Sequence, residues 1–165
     1  MDAPKRKPAR LPEYDYSTPG AYFVTICTQD RRHLLSDVRT VGDGVLDVPQ
    51  IHLSEYGKTV EETLLEIERH YTDLVIEKYV IMPNHVHLLI RLENDGTSRT
   101  PSPTNAIIPA FVSTFKRFTN QRCGIKLWQR SYHDHVIRNE QDFREIWDYI
   151  DNNPARWADD RYYME

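Results

Sequence analysis

Two histidines stand one residue apart in "HVHLLIRL", residues 85–92, directly after the turn dipeptide Pro83-Asn84. Successive side chains of an extended strand alternate between faces, so Val86, Leu88, Ile90 and Leu92 share one side while His85, His87, Leu89 and Arg91 share the other. The first set reads as core. The second sets two imidazoles about 6.6 Å apart along one face, a span that two ligands of one divalent ion can bridge. Taken alone, such a pair is as often a surface accident as a ligand set. Here an otherwise apolar strand gives the histidines no other evident reason to be there.

A second chemistry-bearing segment is "NEQDFREIWDYIDNNP", residues 139–154. Phe143, Ile146, Trp147 and Ile150 recur at i, i+3, i+4 and i+7, the apolar stripe of a helix. Asn139 suits the N-cap, Glu140 and Asp142 suit the positive end of the helix dipole, and Pro154 stops the run. On a helical wheel Tyr149 lies about 110° from the centre of the stripe, and Asn153 follows one turn later, about 40° round from Tyr149. A flanking tyrosine is ordinarily a half-exposed packing residue. Its hydroxyl is also a nucleophile wherever a metal or base lowers the cost of deprotonation, and the Asn153 carbonyl oxygen would then offer a third hard ligand to the same ion.

The rest of the chain must position these groups. "AYFVTICT" (21–28) is β-branched and aromatic and reads as a strand; 36–53, punctuated by Gly42, Gly44 and Pro49, reads as loop with at most a short strand pair. Ser54 can cap a helix in which Val60, Leu64 and Ile67 recur at helical spacing. "DLVIEKYVIMP" (73–83) and "HVHLLIRL" then predict an antiparallel hairpin, and the polar stretch 93–104 a surface loop. Ile107, Phe111, Thr114 and Phe118 mark another helix, with Lys116 and Arg117 on its opposite side and Pro109 tolerable only in the first turn. "YHDHVIR" (132–138) predicts a last strand before the C-terminal helix. The order strand, helix, strand, strand, helix, strand, helix predicts an α+β fold: a ferredoxin-like antiparallel sheet with helices on one face plus a C-terminal helix.

Composition sets the limits. A chain of 165 residues, 39% hydrophobic, is long enough for one compact domain and short for two. The expected organisation is a basic flexible arm over residues 1–15 and a single domain over 16–165. No apolar stretch approaches the length of a membrane span, and no apolar segment follows the N-terminal charges, so a soluble, unexported, cytoplasmic protein is expected. Cys27 and Cys123 are isolated in sequence and suggest neither a disulfide framework nor a cysteine-based zinc site. The net charge of −4 argues against a protein coated in cations for non-specific nucleic-acid binding. Yet Lys5, Arg6, Lys7 and Arg10 cluster at the start, and Lys116, Arg117, Arg122, Lys126, Arg130 and Arg138 face only Asp134 across 111–138, whereas acidic residues crowd the last stretch from Glu140 to Glu165. Local basic surface beside an acidic one is therefore expected, or merely solvated faces.

Together, "MPNHVHLLI", "FVSTFKRFTN", "LWQRSYHDHVIRNEQDF" and "DYIDNNPARW" resemble the REP-associated tyrosine transposases, a branch of the IS200-like single-tyrosine HUH endonucleases, from about Tyr22 to Trp157. The specificity of the resemblance lies in the set and its order. It implies a ferredoxin-like sheet bearing the histidine pair and an enzyme that cleaves and rejoins single-stranded, hairpin-forming DNA through a 5′-phosphotyrosine. It makes Tyr149 the nucleophile, His85 and His87 the metal ligands, and Asn153 the match to the third-ligand position, with Mg²⁺ or Mn²⁺ as the ion. DNA would meet Lys116, Arg117, Arg138 and the arm residues Lys5, Arg6 and Lys7, with bases stacking on Trp128 or Tyr132 unless those aromatics serve ordinary core packing. The partner would be single-stranded or hairpin DNA and the assembly a monomer or homodimer. Two rival readings stay open: a catalytically inactive nucleic-acid-binding module on the same fold, and a water-using metal hydrolase with Glu77 or Asp134 as base.

Overall fold

A computed structural model of the chain describes residues 14–41, 48–93 and 106–163. The expected arm residues Lys5, Arg6 and Lys7 lie outside the described residues. The elements in chain order are β1 (Gly20–Cys27), β2 (Ser36–Val41), β3 (Val48–Leu53), α1 (Glu55–Glu68), β4 (Leu74–Met82), β5 (His85–Leu92), α2 (Ile107–Cys123), β6 (His133–Ile137) and α3 (Glu140–Asn152), followed by a 3₁₀ turn over Pro154–Asp159. Four strands form one sheet in the order β4-β5-β1-β6 with antiparallel neighbours, so β1 and β4 run parallel with β5 between them. This split βαβ arrangement is the expected ferredoxin-like topology. The segment 36–53, read as loop with at most a strand pair, supplies β2 and β3, which pair antiparallel as a separate ribbon.

The alternation read along β5 governs the layers. Val86, Leu88, Ile90 and Leu92 join Tyr22, Val24 and Ile26 of β1 in a core closed by Val60, Leu64 and Ile67 of α1 and Ile108, Phe111 and Phe115 of α2. Leu89 joins Phe23, Val80, Met82 and Ile150 in a smaller cluster on the opposite face, with Phe143, Ile146 and Trp147 of α3 packed against it. The sheet therefore has α1 and α2 on one side and α3 on the other, the side that carries His85 and His87.

Local chemistry places the helix ends. The Gly57 amide donates to Ser54 Oγ at 3.1 Å, and the Asp142 amide to Asn139 Oδ1 at 2.9 Å, each cap relieving an orphan N–H of its helix. Pro109 is the third residue of α2, within the first turn, where its missing donor costs little. Gly124 closes α2 at φ 67°, a left-handed conformation that glycine adopts without penalty.

Gly57 itself marks a close approach, since a Cβ there would lie 2.0 Å from the carbonyl oxygen of buried Leu35. Gly57→Ala is expected to destabilise the protein by about 3 kcal/mol, the upper part of the overpacking range, even though alanine is the better helix former. Urea unfolding checks this: the midpoint should fall with no change in slope, and a midpoint at or above the parent's would mean that the loop at Leu35 yields.

Candidate metal and nucleophile site

The β1–β5 register puts Thr25 opposite His87 and Cys27 opposite His85. Both imidazoles are fully buried, roofed by α3 and by the chain that follows it. Their ring centroids are 4.4 Å apart, with Tyr162 at 4.6 Å from the His85 ring and Tyr149 at 5.3 Å from the His87 ring. Each ring is held by its Nδ1: His85 at 2.8 Å from Asn84 Oδ1, His87 at 2.8 Å from Thr25 Oγ1. The Nε2 atoms of both rings, and Asn153 Oδ1, are buried without a hydrogen-bond partner of normal geometry. Buried polar atoms are nearly always satisfied, so three converging orphans call for a common partner.

Asp160 completes the cluster. One ligand atom each from His85, His87 and Asp160 lies within 4.8 Å of the others. The Asp160 carboxylate accepts from the Tyr162 amide through Oδ1 at 2.7 Å and from Asn153 Nδ2 through Oδ2 at 3.0 Å. The Tyr149 hydroxyl lies 3.5 Å from the same Oδ2. The four expected residues His85, His87, Tyr149 and Asn153 thus come together, joined by a carboxylate that the sequence reading left among the solvated acids of the C-terminal stretch.

The protonation states suit metal ligation. Burial holds the pKa of His85 down at about 4, against the opposing pull of Asp160 and Asn153. Burial also pushes His87 well below the usual histidine range, and neighbouring His85 pushes it further. Both rings are neutral at pH 7, so each has a lone pair on one ring nitrogen. Burial raises the Tyr149 phenol and Asp160 raises it further, while Asn153 and Arg161 pull the other way. The hydroxyl therefore keeps its proton until a cation or an acceptor takes up the charge. Two imidazoles with a carboxylate or amide oxygen form a donor set that accepts first-row divalent ions, so these residues fit a metal.

Tyr149, Asn153, Arg156, Asp160 and Arg161 line a cleft of about 980 Å³ beside α3. Tyr149 is 36% exposed there, enough for its hydroxyl to meet a substrate, while its ring rests edge-on against Phe23 at 5.9 Å.

Other expected contacts fall elsewhere. Trp128 and Tyr132 are removed from the stacking set: they are 2% and 6% exposed, belong to the core under α1 and α2, and the Trp128 Nε1–H is spent on Thr119 Oγ1 at 2.7 Å, so no base can reach either face. Lys116 gives its ammonium to the Gln129 and Ser131 carbonyls, both at 2.9 Å, closing the loop before β6. Arg117 is exposed on α2, across the sheet from the histidines, with its guanidinium over the Phe118 ring. Arg138 follows β6 beside the end of β1 remote from Cys27 and lines a separate cleft with Arg91 and Phe143. Of the bases considered for a water-using hydrolase, Glu77 is ion-paired to Arg91 at 2.6 Å, and Asp134 stands opposite Val24, on the α1/α2 side of the sheet.

No family model matches the chain. In sequence it is 28% identical to an uncharacterized protein of Haemophilus influenzae, over 97% of the chain and 94% of that protein. It is 26% identical to the REP-associated tyrosine transposase of Escherichia coli K12, over 86% of the chain and 70% of that protein. Among solved structures it superposes on a REP-associated tyrosine transposase bound to a REP hairpin with a TM-score of 0.62 at 21% identity, covering 85% of the chain and 69% of that structure. The resemblance carried by the sequence motifs and the expected α+β fold are both borne out.

Proposed function

We propose that this chain, a relative of the REP-associated tyrosine transposases in sequence and fold, cuts and rejoins single-stranded DNA with Tyr149 as nucleophile. The observation that carries the reading is the position of the Tyr149 hydroxyl, 3.5 Å from Asp160 Oδ2 in a carboxylate–histidine cluster at the edge of an open cleft. His85, His87 and Asp160 would hold the ion, with Asn153 as a further oxygen donor. Mg²⁺ or Mn²⁺ bound there supplies Lewis-acid stabilisation of the charge that builds on a scissile phosphate.

The chain's own groups do the rest. Asp160, or water beside it, accepts the phenolic proton as the Tyr149 oxygen bonds to phosphorus. The phosphorus–O3′ bond breaks, and the departing 3′ oxygen takes up a proton. The products are a 5′-phosphotyrosine on the protein and a free 3′-hydroxyl. The phosphotyrosine conserves the energy of the phosphodiester, so the reverse step onto another 3′ end joins strands with no nucleotide cofactor. Arg156 and Arg161 on the cleft wall offer cations to the flanking phosphates. An unpaired substrate fits, because one phosphate must approach both a strand-borne cluster and a helix-borne tyrosine. The solved neighbour's REP hairpin supports hairpin DNA as the partner class.

Incubation with 3′-labelled hairpin DNA bearing single-stranded flanks, in Mn²⁺, is expected to leave a labelled protein–DNA adduct that survives SDS and is lost on chelation. Cleavage without an adduct would instead favour hydrolysis by water, and binding with neither would favour a module that has lost catalysis.

A further inference from the structure

Asn84, read from the sequence as half of a turn signal, is fully buried and hydrogen-bonds three separate segments. Its Nδ2 donates to the Tyr162 carbonyl at 2.7 Å and points to the Arg31 carbonyl at 3.3 Å, while its Oδ1 faces His85 Nδ1 at 2.8 Å. Its own carbonyl accepts from the Thr28 amide at 2.9 Å and hydroxyl at 3.1 Å. Two carbonyls on one side of an amide can be satisfied only by its NH₂, so the oxygen must face His85. His85 Nδ1 must then carry the proton, leaving the lone pair on Nε2. Histidine free in water favours the opposite tautomer.

The surroundings are arranged around this contact. Asp30 and Arg31 both take left-handed backbone conformations, φ 54° and 53°, which cost non-glycine residues free energy and persist only where neighbours enforce them. That turn aims the Arg31 carbonyl at Asn84, while the Arg31 guanidinium reaches the Arg161 carbonyl at 3.4 Å. The tail residue that Asn84 grips, Tyr162, also donates its amide to Asp160. One side chain therefore touches a candidate ligand on the sheet and the tail segment that delivers the candidate carboxylate.

We infer that Asn84 is a positioning residue that sets the His85 tautomer and fastens the 160–162 turn over the histidines, so that strand and tail donors form one site. His87 has its own orienting partner in Thr25, Oγ1 to Nδ1 at 2.8 Å. The two rings are thereby separable in an experiment.

The test compares Asn84→Leu, which keeps the branched outline and removes every side-chain hydrogen bond, with Asn84→Asp, which keeps the acceptor for His85 and loses the donor to Tyr162. Without metal, long-range ¹⁵N–¹H spectra should show His85 leaving the Nδ1–H form in N84L but not in N84D, with His87 unchanged in both. Amide exchange over 160–163 should rise at least about tenfold in both variants. Mn²⁺ affinity by calorimetry should fall about 10–100-fold in N84L, the range for loss of an orienting partner. A His85 tautomer unmoved in N84L, or tail exchange unmoved in N84D, overturns the inference. If N84L does not fold, N84D decides through the tail alone. The affinity measurement rests on the metal-dependent reading above. The tautomer and exchange do not, so a protein that bound no Mn²⁺ would overturn that reading and leave this inference to stand or fall on its own spectra.

Discussion

Tyr149→Phe is expected to abolish adduct formation and strand cleavage together, by at least about 10⁴-fold, the scale on which removal of an essential catalytic group acts. The substitution deletes one oxygen from a ring that packs against Phe23 and His87, and those contacts survive in phenylalanine. The lost hydroxyl makes a long 3.5 Å contact to Asp160 and also interacts with Asn153, on a half-exposed residue, so stability should change by about 1 kcal/mol or less. Hairpin binding should persist for the same reason. The outcome that sinks the assignment is a variant that still forms adduct at the parent's rate. The other tyrosines near the C-terminus compete poorly on geometry. Tyr132 is in the core on the far side of the sheet, and Tyr162 is 3% exposed with its hydroxyl held by Arg161 at 2.6 Å. Tyr163, 37% exposed, packs against Trp157 and would be the next to test.

The contrast between Tyr149 and Trp128 shows what a sequence can carry. Tyr149 was legible because helical periodicity fixes its angle from an apolar stripe, a relation local to a few turns. Trp128 and Tyr132 have no such frame. Whether an aromatic in an irregular segment faces a base or the core depends on where the chain crosses, here through the Thr28–Trp128 bridge that ties the segment to the end of β1. Lys116 failed as a free cation for a related reason: the polar side of a helix is visible in sequence, but the loop of carbonyls that returns to it 13 to 15 residues later is not. His85 and His87 sat in the clearest possible frame, strict alternation along a buried strand. Asp160 sat in none. It lies past Pro154, beyond the reach of helical periodicity and among acids that look solvated, and only the 3₁₀ turn over Pro154–Asp159 carries it back over the sheet. The sheet and its helices were readable from periodicity, whereas the part of the site built by the tail needed three dimensions.

That division bears on the third ligand, Asn153 from the helix or Asp160 from the tail. The double variant His85→Ala, His87→Ala should lose Mn²⁺ binding below detection by calorimetry, because it removes both nitrogen donors and leaves one carboxylate beside a neutral amide. Asp160→Asn and Asn153→Ala separate the oxygens. A carboxylate beside a divalent ion contributes charge attraction that an amide dipole lacks, and that attraction is strong at a buried site. Asp160→Asn should therefore cost at least the 10–100-fold typical of losing even an orienting partner, while Asn153→Ala should cost less. Asn153 also donates to Asp160 Oδ2 at 3.0 Å, so part of its effect would come from a carboxylate left free to turn. The double variant Asp160→Asn, Asn153→Ala measures that coupling: losses that multiply mean two independent donors, whereas a double loss equal to that of Asp160→Asn alone means that Asn153 acts through Asp160. If Asn153→Ala proves the costlier single change, the helix supplies the ligand, and Asp160 is left with the phenolic proton of Tyr149.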